Sequence, residues 1–228
     1  MTGAGARQWV IAGVGLSLLV GCTTASGVSG GSGSGGSGSG GAGLAGPDVP
    51  VDPPPVVNPH RAVFLAANTA RSDLFELRRS LDNTEEEAMP GHGEVVYSGF
   101  GSVGIETATS EFIAIGAARI TADFRSAELD GTIDNFFGRT LPGTETPYAG
   151  ALIFTGETGG AAWRDNRFLG TVTGTLAGPG RTLLIDSDLS GGFRGEAYEV
   201  LFGTTDDDNT IRVNGAPVDA TVQIIAER

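Results

Sequence analysis

The chain contains no lysine: its 14 cations are all arginines, set against 27 acidic residues for a formal net charge of −13. A balance this acidic excludes nucleic acid as a partner, because binding it needs clustered cations that displace counterions. It equally excludes docking on anionic lipid headgroups by charge alone. Cysteine is almost missing too. The single one, Cys22, rules out an internal disulfide, so packing must hold the fold. Histidine occurs twice, at His60 and His92, too far apart in sequence to suggest a metal-binding or catalytic pair. The longest apolar stretch, from Trp9 to Val20, falls well short of the about 20 residues a spanning helix needs.

That short stretch, preceded by Arg7 and followed by Gly21-Cys22, has the layout of an export signal. Leu19-Val20-Gly21-Cys22 resembles a bacterial lipobox. The resemblance implies that residues 1–21 are removed, that Cys22 becomes the first mature residue, and that its thiol and new amino terminus carry acyl chains such as palmitate. More than one chain gives lasting attachment where a single chain binds only marginally. Thr23 and Thr24 follow the cysteine rather than Asp, which is compatible with transfer to the outer membrane in bacteria that use that sorting rule. An ordinary secretory signal with a chance cysteine is the alternative.

Residues 22–59 read as a linker. Thr23 to Gly46 is almost wholly Gly, Ser, Ala and Thr, a random coil of ~25–30 Å end to end. Pro47 to Pro59 holds six prolines, which favour an extended form of roughly 40 Å. Residues 60–89 read as a helical lead-in. The rhythm predicts a helix from Asn68 to Ala88 that frays near Asn83, with Leu74, Phe75, Leu77 and Leu81 as its apolar stripe and Arg71, Arg78 and Arg79 off it. Such a helix would bind a partner, pack against the domain or cover one barrel mouth.

Residues 90–228 read as strand throughout. Ala118 to Phe124 alternates with Ile120, Ala122 and Phe124 on one face and Arg119, Thr121 and Asp123 on the other, and Phe168 to Leu176 and Val218 to Ile224 repeat the pattern. Period-two alternation marks strands with one dry and one wet face. Eight candidates begin near Glu94, Ile115, Ala127, Ala151, Phe168, Thr182, Ala197 and Pro217, joined mostly by short links that imply antiparallel neighbours. The expected class is all-β: an eight-stranded antiparallel up-and-down barrel, since closure removes both edges. Gly131, Gly156, Gly170, Gly174 and Gly192 lie inside strands and would permit the coiling that closure demands. A membrane-spanning barrel is rejected, because one face of each strand carries Thr, Asp, Glu or Arg.

Glu94 to Gly99, Ala117 to Phe124 and Leu129 to Phe136 resemble three successive strands of the transferrin-binding protein B barrel domain. Gly191-Gly192-Phe193-Arg194-Gly195 and Ala197 to Gly203 are similar to later segments of that family, although Arg194 stands where the family has Tyr and Val200-Leu201 interrupt its glycine pair. The resemblance covers Pro90 to Arg228, a single barrel without the second lobe or handle domains of the transferrin receptor. It implies a surface binding module on a Gram-negative lipoprotein. Similar barrels take host regulators, haemoglobin, haem and other solutes, so it names no ligand.

No catalytic constellation emerges. His92 as a haem ligand is weighed against an exposed turn residue, Asp186 and Asp188 as metal ligands against a wet strand face, and Asp206-Asp207-Asp208-Asn209 as a Ca²⁺ loop against a polar hairpin. The bland reading is preferred each time, and no cofactor or metal is expected. The expectation is a non-enzymatic lipoprotein held at the outer membrane through Cys22, on either face, whose barrel binds an unknown protein or solute, with iron- or haem-related uptake as one use. Binding is expected at the loops Pro142 to Ala149 or Thr205 to Gly215. The rivals are a lipocalin-like carrier, with Leu152, Phe154, Phe168, Val172, Val200 and Phe202 lining its lumen, and a structural envelope lipoprotein.

Overall fold

The computed structural model describes residues 58–106, 111–141, 143–159, 166–205 and 210–228. They belong to one compact unit, Pro54–Arg228. The signal segment, Cys22 and the Gly/Ser-rich linker lie outside the described residues, as do Asp206 to Asn209.

Helix α1 runs from Pro59 to Ser80, nine residues earlier at its start than the apolar rhythm indicated. Two local signals set that start. The Asn58 side chain accepts a hydrogen bond from the His60 amide at 3.1 Å, and Pro59 occupies a first-turn position where its missing N–H costs nothing. Both fell within the stretch read as linker. The helix stops at Ser80 rather than Ala88, and Glu86–Ala88 forms a single 3₁₀ turn.

Ten strands follow: β1 (Glu94–Glu106), β2 (Glu111–Asp123), β3 (Glu128–Leu141), β4 (Glu145–Thr158), β5 (Arg167–Gly178), β6 (Arg181–Arg194), β7 (Val200–Thr205), β8 (Thr210–Val213), β9 (Ala216–Val218) and β10 (Ala220–Glu227). Each of β1 to β6 pairs antiparallel with its successor in sequence, except that β6 meets β7 along Leu189–Arg194 and β8 along Leu183–Asp186. Thus β7 and β8 are two halves of one barrel stave, and β9 and β10 are two halves of the next. The circle closes where β1 pairs with β10, from Ser98↔Glu227 to Ile105↔Ala220. The result is the closed eight-stranded antiparallel barrel that the alternation predicted.

The break between β7 and β8 interrupts the ladder, and two buried hydroxyls repair it. Ser187 Oγ accepts from the Thr210 amide at 3.1 Å, and Thr205 Oγ1 accepts from the Val222 amide at 3.0 Å. Without Thr205 Oγ1 the amide of buried Val222 would lack a partner at a cost of about 1–3 kcal/mol, whereas the exposed Thr210 amide could turn to water.

The barrel interior is packed with side chains from every stave. A chain of rings runs through it: Phe154 to Phe168 at 5.8 Å, Phe168 to Phe193 at 6.0 Å, and Phe193 to Tyr97 at 5.9 Å. Inward glycines make room for these groups. A Cβ at Gly170 would stand 2.6 Å from the Phe154 ring, and one at Gly131 would stand 2.3 Å from Ile120 Cδ1. Strand glycines therefore serve lumen packing as well as curvature.

Helix α1 does not cap a mouth; it lies along the outer wall, touching β1 to β4 and β10. Leu74 packs there against Val200 and Ile225, flanked by Phe75, Leu81, Phe100 and Phe202. The wall-facing side also includes Arg71, which donates to Ser102 Oγ at 3.3 Å, and Arg78, whose guanidinium sits 3.7 Å over the Phe202 ring. Leu77, placed in the apolar stripe by sequence, is 37 % exposed. Two arginines thus belong to the docking face and one leucine does not, because long aliphatic stems pack as well as leucine while their heads find rings and hydroxyls.

Candidate functional site

Four of the six lumen candidates point inward. Leu152, Phe154, Phe168 and Val172 are fully buried and pack into one interior cluster. Val200 and Phe202 do not join them. The pairings Phe193↔Leu201 and Gly191↔Gly203 turn Leu201 and Gly203 inward, so period two sends Val200 and Phe202 outward beneath α1. Phe202 meets Phe75 edge-on at 5.7 Å.

The segments expected to be binding loops are mostly sheet. Residues Glu145 to Ala149 belong to β4, paired through Arg139↔Glu145 to Phe136↔Tyr148, and Thr210 to Gly215 forms β8 and its turn into β9. Glu145 is buried, accepting from Asn58 Nδ2 at 3.2 Å and lying 3.8 Å from Arg139 Nε. It anchors the start of the helix to the wall and is not free to meet a ligand. His60 sits in the first turn of α1 against the Phe137 ring at 5.8 Å, and not in the linker. His92 is exposed in the approach to β1, and Asp186 and Asp188 are both exposed on the outer face of β6. The Asp206-Asp207-Asp208-Asn209 loop and the lipidation candidate Cys22 lie outside the described residues.

Among the described residues, two concavities stand out on the outer wall. The larger, of about 660 Å³, spans β3 to β6. Its two cross-strand rows are Glu128–Glu157–Leu169 and Asp130–Thr155–Thr171–Asp188. The Thr155 and Thr171 hydroxyls lie 3.2 Å apart in its floor. Glu128 and Glu157 stand directly opposite each other, an arrangement that disfavours the sheet unless a cation relieves it. Leu169, 39 % exposed, supplies an apolar foothold among these carboxylates.

The smaller concavity, of about 160 Å³, lies where the end of α1 meets β5, β6 and β7. It is lined by Arg78, Arg167 and Arg194, with Ser190, Gly192 and Thr204 among the remaining walls. Burial lowers the Arg78 pKa, and the neighbouring charges of Arg194 and Arg79 push the same way. Sequence reasoning missed this meeting of arginines. Its one legible signal is the repeated seven-residue step from Phe64 to Arg71 and from Arg71 to Arg78, about two helical turns each, which puts all three on one face.

No protein-family model and no curated protein sequence matches the chain. Among solved structures, a double mutant of the vaccine antigen Transferrin Binding Protein B from Haemophilus parasuis Hp5 is similar at 17% identity, with a TM-score of 0.42, over 64% of this chain and 28% of that one. A single mutant of the same antigen is similar at 18% identity, again with a TM-score of 0.42 over 64% of this chain and 28% of that one. This chain thus matches well under a third of the antigen's length. At that score the likeness assigns neither a family nor a ligand.

Proposed function

We propose that the chain is a lipid-anchored, non-catalytic binding module that takes a protein ligand on the outside of its barrel. Cys22, acylated after removal of residues 1–21, would hold it at the outer membrane, and the Gly/Ser- and Pro-rich linker would let the barrel stand off the bilayer. The observation that carries this reading is the filled interior. With Leu152, Phe154, Phe168 and Val172 fully buried, a ligand finds a broad concave surface of about 660 Å³ on the acidic wall of β3 to β6. Four carboxylates around Leu169 suit a cationic segment of a protein partner, bound more weakly as salt rises.

The lipocalin-like carrier requires these inward side chains to make way for a guest, and nothing in their packing favours that. An iron- or haem-linked role is a narrower form of the binding reading. Hemin titration followed by absorbance tests it directly.

Two measurements test the proposal. Metabolic labelling with palmitate should mark the wild-type chain and leave Cys22→Ser unlabelled; labelling of the variant would remove the anchor. Capture of proteins from host fluids or neighbouring cells should fall at least tenfold for the double variant Asp130→Asn/Asp188→Asn. Equal capture by the variant would refute the wall as the binding face.

A further inference from the structure

The concavity at the end of α1 is built unlike the rest of this molecule. The outward residues of β6 run Asp186, Asp188, Ser190, Gly192 and Arg194, so the strand passes from acidic to basic within five outward positions. Gly192 has no side chain, which leaves a dip in the wall between Ser190 and Arg194. Arg167 stands directly across from Gly192 on β5, and Phe202 stands across from it on β7. Arg78 reaches in from the helix over the Phe202 ring. The lining includes no carboxylate, although the chain has 27 of them. Among the described residues the ion pairs are Arg79–Glu76 and Arg139–Glu145, and none involves Arg78, Arg167 or Arg194.

Three guanidiniums that share a lining with no carboxylate among its described residues repel one another, and the resulting cost is relieved by an anion that enters between them. Arginine also supplies a planar fork of donors suited to phosphate-like oxygens. Here the donors arrive from three separate elements and so from different directions, which fits a tetrahedral oxyanion better than a flat carboxylate. Thr204, paired with Ser190 across β6 and β7, adds a hydroxyl at the rim. A volume of about 160 Å³ is below the ~300–1,000 Å³ of sites for whole drug-sized ligands, and so suits one anionic group.

We propose that the Gly192 dip, walled by Arg78, Arg167 and Arg194, is a binding site for a single tetrahedral oxyanion of the phosphate or sulfate type. The site shares no lining residue with the acidic wall, and its test involves no lipid, so it stands or falls independently of the partner and the anchor. The oxyanion arrives either as the free ion or as the terminal ester of a larger molecule.

Thermal midpoints of the full chain, measured in increasing inorganic phosphate or sulfate with chloride making up constant ionic strength, test the site. The expected result is a saturable rise over chloride alone. Arg167→Gln should weaken the apparent affinity at least tenfold, as should Arg78→Gln, while Arg119→Gln, on the exposed face of β2, should leave it unchanged. Arg167 is itself exposed, so its variant should keep the wild-type midpoint in chloride, which verifies folding. Repeating the titration with glycerol 3-phosphate separates the sources: tighter binding of the ester indicates a phosphorylated larger ligand, and equal binding indicates the free ion. The proposal fails if phosphate and sulfate track chloride at equal ionic strength, or if Arg167→Gln responds as wild type does.

Discussion

Tyr97 and Asp123 set opposite pH limits on this barrel. Tyr97 is completely buried, its hydroxyl donates to the Tyr198 carbonyl at 2.9 Å, and burial pushes its phenol well above the ordinary tyrosine range. The folded state therefore keeps a proton that the unfolded chain gives up near pH ~10, so stability is intact below that pH and falls as pH rises through it. Tyr97→Phe should lose ~1 kcal/mol at neutral pH with the hydrogen bond and should flatten the alkaline decline. Urea midpoints at neutral and alkaline pH check both, with the part of the decline due to the similarly raised Tyr148 remaining. An unchanged alkaline slope would contradict the assignment. Asp123 behaves in the reverse sense. Its carboxylate accepts from the Arg125 amide at 2.8 Å in the β2–β3 turn, and that bond holds its pKa below the usual value. Its contribution is present above the unfolded aspartate value of about 3.9 and is lost as pH falls through the lower folded value. Carboxyl-carbon NMR should place the Asp123 midpoint below that of an ordinary aspartate, and an ordinary midpoint would refute the turn's role.

At the level of elements, α1 converts part of the wet outer wall into a second dry surface. Strand alternation would leave Phe100, Val200, Phe202 and Ile225 facing water; the helix covers them, with Leu74 at the centre of the contact. Leu74→Ala removes that centre and should cost about 2–3 kcal/mol, at the lower end for large-to-small changes because the site borders solvent. A lower denaturant midpoint with an unchanged slope would bear this out, whereas no change would mean that the helix docks through its arginines alone. Each arginine has its own partner on the wall: Arg71 the Ser102 hydroxyl, and Arg78 the Phe202 ring. The short segment after the helix is tied down as well. The Thr84 amide donates to the Phe193 carbonyl at 3.1 Å, and its hydroxyl donates to the Gly195 carbonyl at 2.7 Å. Met89, just beyond, packs onto the interior cluster.

Closure governs the whole molecule. The β1–β10 ladder joins the first and last staves, so the barrel has no free edge there until the carboxyl-terminal strand is removed. Truncation after Asp219 should expose the edges of β1 and β7 and take the interior residues Val222 and Ile224 out of the core. Loss of the cooperative unfolding transition and concentration-dependent aggregation are the expected outcomes, followed by calorimetry and light scattering. A truncated chain that stays monomeric and unfolds cooperatively would show that the ladder is dispensable. The closed, filled barrel also places every candidate binding surface on the outside, where acidic and basic concavities lie at neighbouring stretches of β6.

Period-two alternation was enough to specify eight antiparallel staves and their closure, because one dry face per strand has few other ways to escape water. It also identified Leu152, Phe154, Phe168 and Val172 as interior, where alternation is clean on β4 and β5. The same rule failed on β7, because Val200-Leu201-Phe202 is apolar on both faces and only its register against β6 decides which residue turns inward. The helix boundaries escaped notice for a similar reason: Asn58 and Pro59 look like linker until the following chain packs. Nor could sequence foretell the meeting of Arg78 with Arg167 and Arg194, which come from a helix and two strands. The seven-residue step puts Arg78 on the docking face, but its meeting with the other two depends on where that face lies along the wall, which the periodicity of the chain does not set.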